Sequence, residues 1–247
     1  MGEAGSRLAA DLAAAGVDVR GHDPAVAGSE PDAAAAVSGS DVVLSVNAAK
    51  AAVAAATAAL PALRTGTVYA DLNTAAPELK RELAALVAGT GARFADVALL
   101  GPVPVRGLAT RTLASGDGAE AFAAAFRPLG MEVEVVSDRP GDAAAMKLLR
   151  SVFMKGLAAA AVESHRAAEA AGRAEWLDEE IAAVIGRPLL DRLLEGSRTH
   201  AARRVDEMEA ARDLLLELGV EPRVATASLD LLADLVAAGG DTVAGDG

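Results

Sequence analysis

The chain has 247 residues, of which 52% are hydrophobic but only 2% aromatic, and 35 acidic side chains against 23 Lys and Arg give a net charge of −12. That charge excludes a generic electrostatic attraction to nucleic acid, and the lack of cysteine excludes disulfides, thiolate metal sites and a cysteine nucleophile. The first seven residues hold no apolar signal core and the Ala-rich stretches break well short of a membrane span, so the expectation is a cytoplasmic protein with neither a membrane nor a nucleic-acid partner.

In chain order, Ser6 to Ala15 has a helical pattern that Gly16 stops, and Val17 to His22 alternates like a short strand ending at Asp23-Pro24. A helix is expected over Pro31 to Val37. The run Asp41 to Val46 is too short for a helix and rich in β-branched residues, as in a buried strand. The alternation continues with a helix over Ala48 to Leu60, a strand at Thr67 to Leu72, a helix over Pro77 to Val87 and a strand at Arg93 to Leu99. Two further short strands fall near Arg111 to Ser115 and Glu132 to Val136. Strands alternating with helices of ten or more residues predict right-handed βαβ units and a doubly wound, parallel α/β sheet of Rossmann type. After Pro140 the pattern is helical throughout, punctuated at Gly186-Arg187-Pro188, Gly196-Ser197 and Gly219 to Pro222. The chain therefore divides into a dinucleotide-binding domain over 1–139 and an all-α domain over 140–247.

A dinucleotide fingerprint is a strand, then G-x-G-x-x-G, then a helix whose N-terminal amides hold pyrophosphate. Gly2-Glu3-Ala4-Gly5 fits only its last four positions; the strand and first glycine are missing, and a start codon assigned too far downstream is the preferred explanation. Asp23 lies about 20 residues further on, where a carboxylate bonds ribose hydroxyls and repels a 2′-phosphate, which favours NAD over NADP. An Asp-Pro turn is the other reading of Asp23. Asn47 and Asn73-Thr74 follow predicted strands, at the strand ends where open α/β sheets bind ligands. Each asparagine is read either as a cofactor neighbour or as a turn former.

Taken in order, Gly2-Glu3-Ala4-Gly5, Asp23-Pro24, Asp41 to Val46, Asp71-Leu72-Asn73-Thr74, Asp96 to Pro102 and Lys147 resemble the β-hydroxyacid dehydrogenase superfamily of 3-hydroxyisobutyrate and 6-phosphogluconate dehydrogenases over nearly the whole chain. Gly101 to Gly107, Arg150 to Gly156 and His200 to Met208 resemble a branch with its own phosphogluconate-dehydrogenase-like C-terminal domain. The resemblance implies an NAD(P) cofactor, a small hydroxyacid substrate, a homodimer and Lys147 as the catalytic lysine. A partly desolvated lysine suits that role, since alcohol oxidation needs a base for the hydroxyl proton as hydride leaves. Helical spacing puts Lys147, Ser151 and Lys155 on one face, read either as base, hydroxyl and carboxylate-binding cation or as a solvated basic stripe.

Two departures bear on substrate choice. Where better-known members carry Ser-Gly-Gly this chain has Leu100-Gly101-Pro102, and Ser151 stands in place of an asparagine; Gly101 and Pro102 remain substrate-loop candidates. His200, Arg203 and Arg204 form a patch for a phosphate or carboxylate, or else a surface network in which Arg204 pairs with Glu207 or Glu209. His22 and His165 stand alone and imply no metal. Two alternatives remain beside a hydroxyacid dehydrogenase: an imine reductase, against which Lys147 argues, and a dinucleotide-binding or dimerisation protein that has lost turnover.

Overall fold

The computed structural model describes residues 2–26 and 30–241, apart from the side chains of 239–241. Its contacts divide the chain into a sheet unit, Met1–Lys147, and a helical unit, Leu148–Gly247. The division falls inside the long helix that follows Arg139-Pro140-Gly141, the boundary expected from sequence.

The sheet unit runs α1 (Glu3–Ala14), α2 (Ala33–Val37), β1 (Val42–Ser45), α3 (Ala49–Ala59), β2 (Val68–Asp71), α4 (Pro77–Ala88), β3 (Arg93–Leu99), α5 (Val103–Arg106), β4 (Thr112–Ser115), α6 (Ala119–Phe126), β5 (Val133–Ser137) and the start of α7 (Asp142–Ala170). The strands lie in the order β1-β2-β3-β4-β5. This is the Rossmann-type α/β layer expected, with two corrections.

The first concerns direction. β1, β2 and β3 are parallel and β4 pairs parallel with β5, but β3 and β4 are antiparallel. Parallel neighbours need a crossover of about a dozen residues or more, usually a helix, and only the four-residue α5 and a short 3₁₀ turn join these two strands. The second is that Val17 to His22 forms no strand. A two-residue period makes a ladder only beside a partner, and β1 at the sheet edge pairs only with β2 among the described residues.

Alternation along the strands builds a core on each face. Val68, Ala70, Leu72, Ala95, Val97, Ala114 and Val133 meet Leu8 and Leu12 of α1 and Phe122 and Phe126 of α6. On the opposite face Tyr69 and Phe94, stacked 6.4 Å apart, meet α2, α3 and α4. Helix α3 presents Ala52, Ala56 and Ala59, a seam without bulk that lets it lie close to the sheet. One glycine fixes the docking of α1. At Gly107, with φ +52°, an added Cβ would fall 1.7 Å from Asp11 Oδ2, the atom that accepts the Leu108 amide.

The helical unit holds the rest of α7, then α8 (Ala174–Ile185), α9 (Arg187–Thr199), α10 (Ala201–Glu217) and α11 (Arg223–Asp241). Ala158, Ala161, Leu190 and Leu193 form its core between α7 and α9, with Ile181 and Ile185 of α8 packed against them. The expected break at Gly196-Ser197 is absent: both lie inside α9, where Gly196 leaves room for the Arg204 guanidinium and the Ser197 hydroxyl bonds back to Leu193. The chain turns instead at His200. No helix among the described residues is long and apolar enough to cross a membrane.

Candidate active site

The turns after β1 and β2 are tied side chain to backbone. Asn73 Oδ1 accepts the Asn47 amide at 2.6 Å, and Asn73 Nδ2 donates to Asn47 Oδ1 at 2.9 Å and to Asp71 Oδ1 at 2.5 Å. Asn47 Nδ2 in turn reaches Ser45 Oγ at 3.1 Å. Asn73 is buried and spends its side chain on this network. It braces the loop at the carboxyl ends of the strands, the second role foreseen for it. Beside it, Thr74 Oγ1 accepts a hydrogen bond from Lys147 Nζ at 2.7 Å. The structure thus brings Asn47, Asn73 and Lys147 together within the sheet unit.

Beneath this loop lies a group the sequence reading passed over. Asp71 and Asp96 stand opposite each other in register on β2 and β3, and with Lys80 of α4 they are all 0% exposed. Lys80 Nζ is 2.5 Å from Asp71 Oδ2, 3.0 Å from the Asp71 carbonyl oxygen and 3.2 Å from Asp96 Oδ1. That last contact is an ion pair without hydrogen-bond alignment, so Asp96 Oδ1 is held by charge alone among the described residues. Burial pulls the Lys80 pKa down, but the carboxylates of Asp96 and Asp71 outweigh it and hold the ammonium above the ordinary lysine range. The signal was present in the sequence: a carboxylate in an apolar strand requires a counter-charge, and Lys80 shares a helix face with Leu83 and Val87.

At the start of α1, Gly2 caps the helix with extended backbone and no side-chain bond, so the first-turn amides of Glu3, Ala4 and Gly5 carry no side-chain cap from Gly2. The space around the Gly2 Cβ position is open. Asp23 Oδ1 accepts the Ala25 amide at 2.9 Å, and this bond lowers its pKa. Its geometry is that of the Asp-Pro turn. Gly101 follows β3, and Pro102 caps α5 through its carbonyl, which accepts from Val105 and Arg106.

Ser151 and Lys155 lie in the helical unit, and both address Glu207 of α10: the Ser151 hydroxyl donates to Oε1, and Lys155 Nζ sits 2.8 Å from the same oxygen. Burial lowers the Lys155 pKa, with Glu207 opposing that shift. Arg204 donates to Ser197 Oγ at 2.8 Å, a bond not foreseen, while His200 and Arg203 are exposed. His22 Nδ1 meets the Glu30 carbonyl, and His165 lies between Asp178 and Glu169. No group of three or more His, Asp or Glu side chains suited to a metal occurs among the described residues.

Fold and site define a Rossmann-type layer with a lysine held at its strand ends, followed by an all-helical region. Residues 168–235 match the model of a Domain of unknown function (DUF1932). The structure is similar to that of conserved protein MTH1747, described as of unknown function and structurally similar to 3-hydroxyacid dehydrogenases: 31% identity, TM-score 0.72, covering 95% of this chain and 93% of that one. It is also similar to Mycobacterium tuberculosis 3-hydroxyisobutyrate dehydrogenase with L-serine (20% identity, TM-score 0.78, 96% and 91% covered). A reductive aminase from Aspergillus terreus in complex with NADPH has 21% identity and TM-score 0.64, with 96% and 92% covered. An uncharacterised 28.5 kDa Methanothermus fervidus protein encoded in the 7S RNA 5′ region is 25% identical over 158 residues, 63% of this chain; the match spans 61% of that relative's length. The chain belongs to the β-hydroxyacid dehydrogenase superfamily, in the branch that carries the DUF1932 region.

Proposed function

We propose that the chain is an NAD(P)-dependent oxidoreductase that moves hydride between nicotinamide and a small hydroxyacid, with Lys147 as the acid/base. The observation that carries the reading is the 2.7 Å contact of Lys147 Nζ with Thr74 Oγ1, beside the strand-end turns of Asn47 and Asn73. The amides of Glu3, Ala4 and Gly5 at the start of α1 fit the pyrophosphate, because nothing from the Gly2 cap competes for them. Asp23 fits a ribose hydroxyl and keeps NAD ahead of NADP, although the reductive aminase relative binds NADPH.

When bound, the dinucleotide supplies the hydride acceptor. Lys147 as free amine takes the hydroxyl proton while the carbinol C–H leaves as hydride, giving a carbonyl product and an ammonium; in reverse, the ammonium protonates the carbonyl oxygen as hydride arrives. Gly101 and Pro102, in the sheet unit with Lys147, are the candidates for holding substrate. Engagement of both Ser151 and Lys155 by Glu207 favours a second reading, a dinucleotide-binding protein without turnover.

NADH and NADPH fluorescence titrations followed by a hydroxyacid panel separate the two. Lys147→Ala is expected to lower kcat by about 10²–10⁴-fold and leave dinucleotide affinity near that of the parent. Binding with no turnover of any panel member would support the second reading, and turnover undiminished in Lys147→Ala would remove Lys147 from the chemistry.

A further inference from the structure

Two carboxylates facing each other in a dry core repel, and a single ammonium between them leaves a net charge of −1 there. The start of α7 meets that excess. Asp96 Oδ2 accepts the Ala144 amide at 2.9 Å and the Ser115 hydroxyl at 3.1 Å, and Ser115 Oγ accepts the Ala143 amide at 3.1 Å. Side chains of β3 and β4 thus cap α7 at the positive end of its dipole.

From this centre two arms leave in different directions. Asp71 holds Asn73, and Asn73 holds the Asn47 turn. Asp96 holds the first turn of α7, and Lys147 comes one turn later, at the spacing that carries the anchoring onto its own face of the helix. The arms meet again where Lys147 Nζ bonds Thr74, the residue after Asn73. The bonds form a closed ring through Lys80, Asp71, Asn73-Thr74, Lys147, the α7 start and Asp96.

We propose that Lys80 is a positioning residue that fixes Lys147 against the Asn47 and Asn73-Thr74 turns by joining both arms at one buried ammonium. Two of its N–H donors go to Asp71, its charge faces Asp96 at 3.2 Å and its side chain is fully buried, so it touches no ligand and acts only through these two carboxylates. Three apolar side chains of like volume would hold sheet and helix together at least as well, because a buried ion pair seldom adds net stability over hydrophobic replacements. They would offer no acceptors aimed separately at Asn73 and at the α7 amides. The catalytic meaning of this positioning rests on the role of Lys147 proposed above.

The test reads Lys147 directly. The chain has four lysines, Lys50, Lys80, Lys147 and Lys155, so trace acetylation followed by mass spectrometry gives a reactivity-against-pH curve for Lys147 with Lys50 as internal standard. The variants are Lys80→Met, the double variant Lys80→Met with Asp71→Asn, which relieves the unpaired carboxylates, and Ser115→Ala, which removes one α7 bond and no charge. The Lys147 midpoint is expected to move by about one pH unit in whichever Lys80 variant folds, and by less in Ser115→Ala, with Lys50 unchanged. NADH affinity is expected to fall about tenfold in the Lys80 variants. A folded Lys80 variant with the parent's Lys147 curve overturns the proposal. If neither Lys80 variant folds, Ser115→Ala decides alone, and an unmoved curve overturns it. Failure of the parent to bind NADH or NADPH would defeat the hydride-transfer reading while leaving the labelling result to stand on its own.

Discussion

Three buried groups give the protein an alkaline signature. Burial pushes the phenol of Tyr69, the chain's one tyrosine, up to about 12. Between pH 10 and about 12 the unfolded chain ionises there and the folded chain does not, so stability falls as pH rises, by about 3 kcal/mol in all. Lys80 acts in the same direction. Its folded pKa is raised, so the stability its ion pairs give is complete below the ordinary lysine pKa of about 10.5 and is lost as pH climbs through the folded value. Lys155 opposes them: its pKa is lowered, the unfolded chain binds more protons between the two values, and stability rises with pH there. Denaturant melts from pH 8 to 11.5 are expected to show little change from Tyr69 and Lys80 up to about pH 10 and a decline beyond it, with phenolate absorbance appearing near 12 or on unfolding. A phenolate transition near 10 in the folded protein would contradict the burial of Tyr69. At this scale Lys147, Asn47 and Asn73 could be picked out from order along the chain. Lys80 left a signal only in its apolar helix face, and which carboxylates it pairs could not be read, because they lie nine and sixteen residues away and become neighbours only when α4 docks on the sheet.

Helices and strands were legible wherever a hydrophobic period met a partner. The strands from β1 to β5 fall within or next to the runs expected from β-branched content, and α4 begins at Pro77, a residue suited to a first helical turn. Val17 to His22 has the period but no pairing strand among the described residues. Gly196 looked like a helix end but serves as a notch for Arg204, a tertiary demand that local propensity does not encode. The reversal at β4 also escaped sequence reading, since α5 is only one turn long. The docking of α1 on the α5 loop is testable through Gly107. Gly107→Ala combines a positive φ with a clash against Asp11, and is expected to cost about 1–3 kcal/mol in urea melts. A loss below about 0.5 kcal/mol would mean that α1 does not pack as described.

For the molecule as a whole, the helical unit carries large apolar side chains that are exposed among the described residues. Phe153 is 69% exposed and Leu149, one turn earlier on α7, 45%. We propose that this face of α7 lies in a homodimer, for singly exposed apolar residues are ordinary but a large aromatic paired with a leucine on one helix face is costly to leave in water. Light scattering is expected to give twice the 24.7 kDa chain mass, and Phe153→Glu with Leu149→Glu to give the chain mass itself. A monomeric parent would refute the assignment.

The alanine seam of α3 has a thermal consequence. Alanine freezes no side-chain rotamers on folding, so a core built from it gives up little conformational entropy, but each residue also removes little hydrocarbon from water. The heat-capacity increment of unfolding follows the hydrocarbon exposed, usually about 12–15 cal/mol/K per residue, and an alanine seam is expected to lower it. A smaller increment flattens the curve of free energy against temperature. At equal peak stability, a protein packed this way melts hotter and resists cold better than one whose core is filled with leucine and phenylalanine.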